Sequence, residues 1–490
     1  MKKVVIVGGG IAGMTAGILL QKAGFQTEIY EKNAIAGGQC TGWKRDGYMI
    51  DNCIHWLTGT REGSALHSLW REIGALGDDV AVYEKPTFFT ARLDGETLTF
   101  WRDKERTRGE LLALSPEDAE EINKLMDYVA LAETMTVPVE KPFDAMNLFE
   151  LMRLGLSMKG MGKLMKAYGG MDIRELAARF RHPLIRHAIV DYMPEGYQAY
   201  AFLVSYATVT GGNGDIPRGG SLEMARRIAG TYRDQGGALH TGTAVSKVLL
   251  DGKRAKGILL ENGKSADADY VVCACDMDYT FRALLPERYM PKALRRLYEN
   301  RESYPVGSSF QVAYAVDGVF SELTGTQLFS CDEIPVGSRT VRRMSIQSYD
   351  YEPSFAPQGK MILQSNFAQS EADYAYWETL YADKEAYART KRETAQSALA
   401  RVEAEFPFLR GKLRILDIWT PMTYTRWCNS YKGAYMSFVT TKQAKSVTVP
   451  GTVKGLENVF LAGQWLMGPG GLPTAAATGK FAAWRIMKNE

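Results

Sequence analysis

Residues 4–31, VVIVGGGIAGMTAGILLQKAGFQTEIYE, decide the fold of this chain. The apolar run from Val4 to Val7 predicts a buried parallel strand, and a glycine-rich turn follows it directly. We expect a helix from Ile11 to Lys22, ended by Gly24, and then a second strand from Gln26 to Tyr30. Strand, glycine-rich turn, helix and strand together predict a Rossmann-like βαβ unit.

The glycines and the acid of this unit have the spacing of a dinucleotide-binding site. Gly8 permits the tight turn, Gly10 lets the backbone approach a pyrophosphate, and Gly13 lets the helix pack closely on the strand. The N-terminus of the helix offers free N–H groups and a positive dipole end to phosphates. Glu31 lies 18 residues after Gly13, within reach of a ribose diol. The alternative is an ordinary glycine turn in another βαβ unit.

Bulk composition indicates a globular protein of more than one domain. A chain of 490 residues exceeds one ordinary core, and 46% of its residues are hydrophobic and 23% charged. A net charge of only +3 gives no basis for a nucleic-acid partner. The six cysteines form no dense framework, no spacing predicts a metal site, and no apolar run reaches the roughly 20 residues of a membrane span. We expect a cytoplasmic protein, peripheral at a membrane if it meets one at all.

The segment after Glu31 separates flavin from nicotinamide cofactors. It contains the pair Gly37-Gly38, followed by Gln39 and Thr41. Here the sequence resembles the FAD-dependent family that contains amine oxidases, phytoene desaturases, carotenoid isomerases and retinol saturases. In that family an acid and a downstream Gly-Gly pair mark FAD, and the following segment passes near the flavin. The chain departs from the family at Gln39, where many members carry Arg.

Two further blocks carry the resemblance. The first runs from Ile216 to Leu222 and continues as a helical stretch to Tyr232. It resembles the segment of the family that returns to the FAD domain, where a residue near Val245 meets the adenine side through its backbone. The second block predicts a strand over 458–465, a glycine-rich loop, and a helix over 475–487. Its Gly-Gly-Leu-Pro form favours the phytoene desaturase branch.

Pro473, in the second block, suits the first turn of a helix, where its missing N–H costs nothing. The helix N-terminus would stabilise the negative charge of a reduced flavin by roughly 0.3–2 kcal/mol. The alternative is an ordinary glycine loop before a C-terminal helix.

The resemblance implies an α/β fold with a discontinuous, Rossmann-like FAD-binding domain and an inserted α+β substrate-binding domain. We assign residues 1–75, 215–290 and 420–490 to the FAD-binding domain. Residues 76–214 and 291–419 are assigned to the substrate-binding domain, which has a helical part. The predicted FAD-binding residues are Gly8, Gly10, Ile11, Ala12, Gly13, Glu31, Lys32, Gly37, Gly38, Gln39, Thr41, Val245, Gly463, Gln464, Gly471, Leu472 and Pro473.

The two insertions differ in character. In the first, Ser115 is predicted to cap a helix that begins at Pro116 and runs to Leu131. In the second, strand-like runs at Phe310–Val316 and Lys360–Asn366 predict a sheet that covers the flavin. Since no second GxGxxG opens a helix, no dedicated NAD(P)H domain is expected. Either the flavin exchanges electrons with a separate donor or acceptor, which the sequence does not identify, or it ends each cycle in its starting redox state.

Residues 147–168 form a basic amphipathic segment rich in leucine and methionine. It carries Arg153, Lys159, Lys163 and Lys166, and no acid beyond Glu150. Such a segment suits a membrane surface or the entrance of a lipophilic substrate. The alternative is a helix packed on the body with its lysines in water.

Candidate substrate and catalytic residues come from the insertions and from the segment beside the flavin. His55 follows that segment and is our candidate for a general acid or base, with a structural histidine as the alternative. Aromatic residues crowd two places and predict an apolar substrate pocket or simply core: Tyr192, Tyr197, Tyr200, Phe202 and Tyr206, then Trp419, Tyr424, Trp427, Tyr431 and Tyr435. Of these we select Tyr192, Tyr197, Trp427 and Tyr431. Asp191 and Glu195 flank Tyr192 and are interpreted as solvated charges.

These patterns predict an FAD-dependent oxidoreductase that desaturates, saturates or isomerises a carbon–carbon bond of a lipophilic unsaturated substrate, carotenoid-like or retinoid-like. One alternative is an amine oxidase, with Trp427 and Tyr431 as its aromatic cage. The other is a lipid-binding protein of the Rab GDP-dissociation-inhibitor type, which uses no flavin. Glu31 and the pair Gly37-Gly38 argue against the latter, because a protein without flavin has no need for them.

Overall fold

The computed structural model describes residues 1–194, 196–439, 441–445 and 447–490, so that Glu195 lies outside the described residues. The strands are β1 Lys3–Val7, β2 Gln26–Tyr30, β3 Gly42–Arg45, β4 Tyr48–Asp51, β5 Leu57–Thr58, β6 Val82–Tyr83, β7 Thr87–Leu93, β8 Glu96–Trp101, β9 Gly214–Pro217, β10 Ala238–His240, β11 Val245–Asp251, β12 Arg254–Leu260, β13 Ser265–Asp267, β14 Tyr270–Cys273, β15 Ser308–Asp317, β16 Thr326–Val336, β17 Arg339–Ser348, β18 Lys360–Gln369, β19 Leu413–Trp419 and β20 Val459–Leu461. The helices are α1 Ile11–Lys22, α2 Ala65–Glu72, α3 Lys104–Leu114, α4 Ala119–Ala132, α5 Leu148–Ser157, α6 Lys159–Tyr168, α7 Ile173–Ala177, α8 Pro183–Tyr192, α9 Tyr200–Thr210, α10 Gly220–Asp234, α11 Met277–Tyr279, α12 Lys292–Glu299, α13 Glu371–Tyr381, α14 Lys384–Glu405, α15 Pro421–Cys428 and α16 Leu472–Lys488.

A five-stranded parallel sheet, in the order β10-β2-β1-β14-β20, carries the N-terminal motif. Its strands come from widely separated parts of the chain, so this Rossmann-like sheet is assembled from discontinuous segments. Val4 and Ile6 of β1 belong to the core that contains α1, α10 and α16. Val5 and Val7 point to the opposite face and pack with β11 and β12. Both faces of the central strand are therefore buried, which explains its uninterrupted apolar run.

Helix α1 and strand β2 have the bounds that the sequence predicts. Gly24 ends the helical stretch with a φ of +87°, a conformation that favours glycine. A Cβ on Gly13 would lie 2.0 Å from the carbonyl oxygen of Gly8, which explains why the helix can pack so closely on the turn. Helix α16 packs equally closely on α1, because a Cβ on Gly479 would lie 2.3 Å from the carbonyl oxygen of Ala12.

A second sheet of seven strands, in the order β19-β15-β18-β17-β16-β7-β8, lies over a large cavity. The two predicted strands of the second insertion are confirmed as β15 and β18, which are antiparallel neighbours. Phe310 and Val312 of β15 pack into a core with α13 and α14. Ser309 and Gln311, on the alternate face, line the cavity. One face of the sheet therefore packs in the core, and the other lines the cavity.

The helical part packs against β7 and β8 and includes α4 and α6–α9. The predicted helix start at Ser115 is wrong in detail. Residues Pro116–Asp118 form a 3₁₀ turn, and α4 begins at Ala119. The Ser115 hydroxyl donates to the buried Asp118 carboxylate at 2.7 Å and makes no capping hydrogen bond to the helix.

The close contact between α16 and α1 yields a stability prediction. We expect Gly479→Ala to lower the midpoint of urea unfolding, because the added methyl group must push the Ala12 carbonyl away at a cost of about 2 kcal/mol. Circular dichroism measures the midpoint.

Gly230→Ala is the matched control, since Gly230 lies inside α10 and a Cβ added there would have no atom within 4 Å. This control should raise the midpoint slightly, because alanine favours a helix over glycine. Equal midpoints for the two variants would contradict the close-contact account.

Candidate active site

A cavity of about 1670 Å³ lies at the carboxyl ends of β1, β2 and β14 and extends under the seven-stranded sheet. Val7 and Tyr30, the last residues of β1 and β2, line it, as do Gln311 and Asn366 from β15 and β18. Open α/β sheets bind ligands outside the carboxyl ends of their strands. The cavity therefore occupies the place where this fold holds a dinucleotide.

Most of the predicted cofactor-binding residues meet at this cavity. Those that line it are Gly8, Gly10, Ile11, Ala12, Glu31, Lys32, Gly37, Gly38, Gln39, Val245, Gly463, Gln464, Gly471, Leu472 and Pro473. Gly13 lies behind the turn, where its role is the packing contact with Gly8. Thr41 also lies outside the lining, and its buried hydroxyl has no hydrogen-bond partner in the described part of the chain.

Four glycines form a cradle whose missing side chains leave room for a ligand. A Cβ on Gly10 would have only the Cα of Gly38 near it, at 4.0 Å, and one on Gly463 would have only the carbonyl oxygen of Cys275, at 3.8 Å. Gly471 likewise has no neighbour closer than 3.8 Å. Since Gly10, Gly38, Gly463 and Gly471 all line the cavity, side chains at these positions would fill it. The cradle fits the close backbone approach that a dinucleotide requires.

The Glu31 carboxylate is held at the end of β2 by two backbone donors. Its Oε2 accepts the N–H of Gly9 at 2.9 Å, and its Oε1 accepts the N–H of Asn33 at 2.8 Å. Burial raises the pKa of Glu31, and these hydrogen bonds act against that rise. A carboxylate fixed in this way has lone pairs left for the hydroxyl groups of a ribose.

Lys32 and Gln39 line the cavity but use their polar ends within the protein. The Lys32 ammonium donates to the carbonyl of Arg426 at 2.8 Å and to Asn429 Oδ1 at 2.7 Å. The Gln39 amide donates to the carbonyl of Ala434 at 2.9 Å. Both side chains thus tie the segment after β2 to the segment after α15.

The C-terminal block supplies a second helix N-terminus. Helix α16 begins at Leu472, three residues earlier than predicted, with Pro473 in its first turn. The Gln464 side chain accepts the N–H of Gly471 at 3.0 Å and so fixes the loop before the helix. On the opposite side, the carbonyl of Val245 accepts a hydrogen bond from the Tyr279 hydroxyl at 3.2 Å.

His55 lines the cavity as a neutral imidazole. Burial, with a smaller contribution from the charge of Lys85, lowers the pKa of His55 to about 4. Its backbone carbonyl accepts a hydrogen bond from the Lys85 ammonium at 3.3 Å. At pH 7 this histidine can accept a proton from a strong acid or donate a hydrogen bond, but it carries no charge.

Of the four selected aromatic residues, three line the cavity and one does not. Tyr192, Tyr197 and Trp427 line the cavity, and the Trp427 indole donates to the carbonyl of Gly38 at 3.0 Å. Tyr431 lies outside the lining and packs on Tyr298, with ring centroids 4.9 Å apart. The predicted cage of Trp427 and Tyr431 is therefore not built, because the turn after α15 directs Tyr431 into the core.

A polar cluster centred on the Tyr424 hydroxyl occupies the cavity wall under β15. This hydroxyl is 3.0 Å from Ser309 Oγ and accepts from Gln311 at 2.8 Å and from Trp419 at 3.2 Å. It donates to Asn52 at 3.4 Å, and burial raises the pKa of Tyr424 to about 12. The crowding of aromatic residues in the sequence makes Tyr424 a pocket candidate. Its bonds to Ser309, Gln311 and Asn52 join segments far apart in the chain, which the sequence does not reveal.

Three acids and bases at or near the cavity are missed or misjudged from the sequence. Asp276, three residues after the end of β14, lines the cavity, and burial raises its pKa to about 7. Lys85 also lines the cavity and is buried. Asp191 is no solvated charge: its carboxylate is buried and pairs with His187 at 2.5 Å and with Arg343. An acid a few residues after a buried strand was the available signal for Asp276.

Comparison with known proteins decides the family. The sequence profile described as "Flavin containing amine oxidoreductase" matches residues 11–487. The chain belongs to this family. It is an FAD-dependent oxidoreductase, and its Rossmann-like fold is that of the family.

Individual relatives of this family member are distant but span its full length. A 4,4'-diaponeurosporene oxygenase of Staphylococcus haemolyticus is 23% identical over 511 aligned positions, covering 99% of this chain and 97% of the relative. An oxidoreductase from Methanosarcina mazei superposes with a TM-score of 0.58 at 18% identity, over 99% of this chain and 100% of the other. The structure of putrescine oxidase bound to putrescine superposes with a TM-score of 0.60 at 15% identity, over 99% of each chain. The two structural likenesses establish the fold alone.

The glycine cradle gives a prediction for cofactor binding. We expect Gly10→Val to fold but to lose FAD, because the backbone at Gly10 has an ordinary φ of −75° and its Cβ would project into the cavity. The measurement is the ratio of released flavin to protein, with circular dichroism as the test of folding.

Gly230→Val is the control and should keep its flavin, because Gly230 lies outside the cavity lining and has room for a Cβ. Stoichiometric FAD in Gly10→Val would remove this turn from the cofactor site.

Proposed function

We propose that this family member desaturates, saturates or isomerises a carbon–carbon bond of a lipophilic unsaturated substrate of the carotenoid type. The observation that carries the proposal is the size and lining of the cavity. Ligand cavities commonly measure about 300–1,000 Å³. The 1670 Å³ found here leaves room for a large second molecule beside a dinucleotide.

Aromatic residues in the lining, Tyr192 among them, support an apolar ligand in the cavity. Tyr192 lies 4.3 Å from Phe88 and 4.6 Å from Phe89, measured between ring centroids, and forms part of a larger aromatic cluster. Val190, Met193 and other apolar residues of α8 and its end extend this wall. The relatives named 4,4'-diaponeurosporene oxygenase carry a carotenoid in their name, which agrees with such a ligand.

The geometry of the proposed site suggests a separate role for the cofactor and for each group of lining residues. FAD supplies hydride or electron exchange at its N5. Gly8, Gly10 and the N-terminus of α1 would hold the pyrophosphate, and Glu31 would accept hydrogen bonds from the ribose. The N-terminus of α16 would face the part of the flavin that gains negative charge. The other lining residues of the two glycine-rich segments, 37–39 and 463–473, would close around the cofactor.

His55 has the role of a proton-transfer group in this proposal. Its imidazole is neutral at pH 7 and forms no hydrogen bond with the described residues, so both nitrogens are available to a ligand. Saturation requires a proton for the carbon that does not receive the hydride; the neutral imidazole would relay it, releasing its N–H proton as the other nitrogen accepts one from water. Water exclusion by the aromatic wall would keep that proton transfer specific.

An amine oxidase is the competing function, and the family name includes it. The sequence offers Trp427 and Tyr431 as the aromatic cage for an amine. Since Tyr431 packs into the core and the Trp427 indole is bonded to Gly38, this pair does not enclose a substrate. The observations therefore favour the carbon–carbon bond chemistry.

A single-turnover experiment tests the proposed function. The FAD-loaded protein, in its oxidised and its dithionite-reduced state, is mixed without oxygen with a linear carotenoid polyene in detergent. We expect a product that has lost two hydrogens from the oxidised state, gained two from the reduced state, or kept its mass with a changed absorption spectrum. Chromatography with mass spectrometry measures the product, and the flavin absorbance at about 450 nm follows the cofactor.

Gly10→Val protein without flavin is the control and should leave the polyene unchanged. Two results of a parallel incubation under air would overturn the proposal: insertion of oxygen into the polyene, or inertness toward polyenes together with peroxide release from putrescine.

A separate observation favours peripheral contact with an anionic membrane through residues 147–168. None of the residues of α5 is buried, and Leu148, Phe149 and Leu156 are each about three-quarters exposed. No helix among the described residues combines the length and apolar character needed to cross a bilayer. An exposed apolar surface of this kind marks an interaction site.

Charge decides which partner this surface suits. Arg153, Lys159, Lys163 and Lys166 are exposed and form no ion pair in the described part of the chain. Glu150 is neutralised by Lys141 at 2.8 Å. The surface is therefore apolar and net positive, which matches the interface of an anionic bilayer. The structure breaks the predicted single segment into α5 and α6 at Met158.

We expect the triple variant Lys159→Glu, Lys163→Glu, Lys166→Glu to lose binding to vesicles of phosphatidylglycerol and phosphatidylcholine. Each lysine near an anionic surface contributes about 1 kcal/mol, so reversal of three charges lowers binding by at least about 100-fold. Co-sedimentation measures the bound fraction.

Lys247→Glu, Lys253→Glu, Lys264→Glu is the matched control on the exposed β11–β13 sheet and should bind more strongly than the test variant. Failure of the native protein to sediment with these vesicles would exclude the membrane contact.

A further inference from the structure

Lys85, between β6 and β7, is a buried cation on the wall of the cavity. It is 5% exposed, and it lines the cavity together with His55 and Trp56. Its ammonium donates to the carbonyl of His55 at 3.3 Å and lies 5.9 Å from the centroid of the Trp56 ring. A buried charge is costly unless something compensates it.

The acid Asp215 supplies that compensation only in part. Asp215 accepts the backbone N–H of Lys85 at 3.3 Å, but both of its oxygens are engaged by Arg102, at 2.5 Å and 3.2 Å. Within the described ranges, no carboxylate oxygen lies within ion-pair distance of the Lys85 ammonium. Arg102 shares Asp215 and also lies 3.7 Å from the exposed Glu84, so the Lys85 ammonium has no ion-pair partner of its own in the described part of the chain.

The ammonium stays protonated although it is buried. Burial lowers the pKa of Lys85 to about 8, and the charge of Asp215 acts against that shift. At pH 7 most of the lysine is therefore charged, while the neighbouring His55 is neutral because its pKa is lowered to about 4. An ammonium has three donors, and the His55 carbonyl uses one of them.

Aromatic rings lie on and behind the same cavity wall, since Trp56 and Tyr192 line the cavity and Phe88 packs between them from the core. Trp56 and Phe88 have ring centroids 6.4 Å apart, and Phe88 in turn contacts Tyr192, with ring centroids 4.3 Å apart. The Tyr192 hydroxyl has no hydrogen-bond partner among the residues that the structure describes, and Tyr192 lines the cavity. A buried ammonium without an ion pair of its own and an unbonded tyrosine hydroxyl, both on a wall that carries aromatic rings, match a ligand that is apolar along its length and anionic at its tip.

We propose that Lys85 and the Tyr192 hydroxyl bind the carboxylate of an unsaturated carboxylic acid whose hydrocarbon chain lies along the aromatic wall. This inference rests on the proposed function, which supplies the apolar unsaturated chain, and adds the charged end group that selects the substrate. A charge-assisted hydrogen bond in a cavity sheltered from water is stronger than a neutral one. The carboxylate would also give Lys85 an ion-pair partner of its own.

Two ligands with the same skeleton test the proposal. All-trans-retinoic acid and all-trans-retinol differ only in their end group, and equilibrium dialysis at pH 7 gives their dissociation constants for the FAD-loaded protein. We expect the acid to bind at least about tenfold more tightly than the alcohol, as one charge-assisted hydrogen bond requires. Lys85→Met should abolish this preference, and Lys85→Arg should keep it.

Lys247→Met is the matched control, because Lys247 is exposed on β11, and it should bind both ligands as the native protein does. Equal affinities of the native protein for acid and alcohol would overturn the inference and leave the proposed function standing. Binding of neither ligand would overturn both. Loss of FAD from Lys85→Met, with FAD kept by Lys247→Met, would assign the cation to the cofactor and overturn the carboxylate site. If Lys85→Met fails to fold, the native comparison and Lys85→Arg still decide the outcome.

Discussion

Helix α1 can lie against the turn after β1 only because no Cβ separates Gly13 from the carbonyl of Gly8. That contact brings the helix N-terminus to the carboxyl edge of the parallel sheet. The Gly37 N–H then bonds to the Gly9 carbonyl at 2.8 Å, which places the Gly37-Gly38 segment beside the turn. Gly479 extends the same principle to α16, whose N-terminus reaches the cavity from the opposite direction. The glycine-rich end of the cavity thus depends on backbone contacts that a single methyl group would disrupt.

Around this end, the polar side chains are held by the protein before any ligand arrives. Two backbone donors orient Glu31, and the Tyr424 cluster joins β15, α15 and the segment after β4. Lys32 and Gln39 connect two distant loops. Such preorganisation lowers the cost of ordering the site on binding. Lys85 differs from these groups, because its ammonium has no ion-pair partner of its own among the described residues.

The parts of the fold that could be predicted are those determined by residues close together in the sequence. The apolar run of β1, the glycines around α1 and the positive φ of Gly24 fix their elements through neighbours in the chain. Predictions failed where a distant residue decides. Asp118 removes the Ser115 hydroxyl from the helix start, and the turn after α15 directs Tyr431 away from the cavity. The importance of Lys85 depends on Arg102 occupying Asp215, and sequence spacing does not reveal that pairing.

The order of segments around the cavity has a consequence for how the protein is made. Strand β1 and helix α1 leave the ribosome long before β20 and α16, because nearly all the other elements lie between them in the chain. Until α16 emerges, the surface of α1 that it covers, which includes Ala12, stays open to solvent. Exposed apolar surface of this kind invites aggregation during synthesis. The cradle for the dinucleotide is therefore completed late in translation, and flavin binding with its full set of contacts can only follow that step.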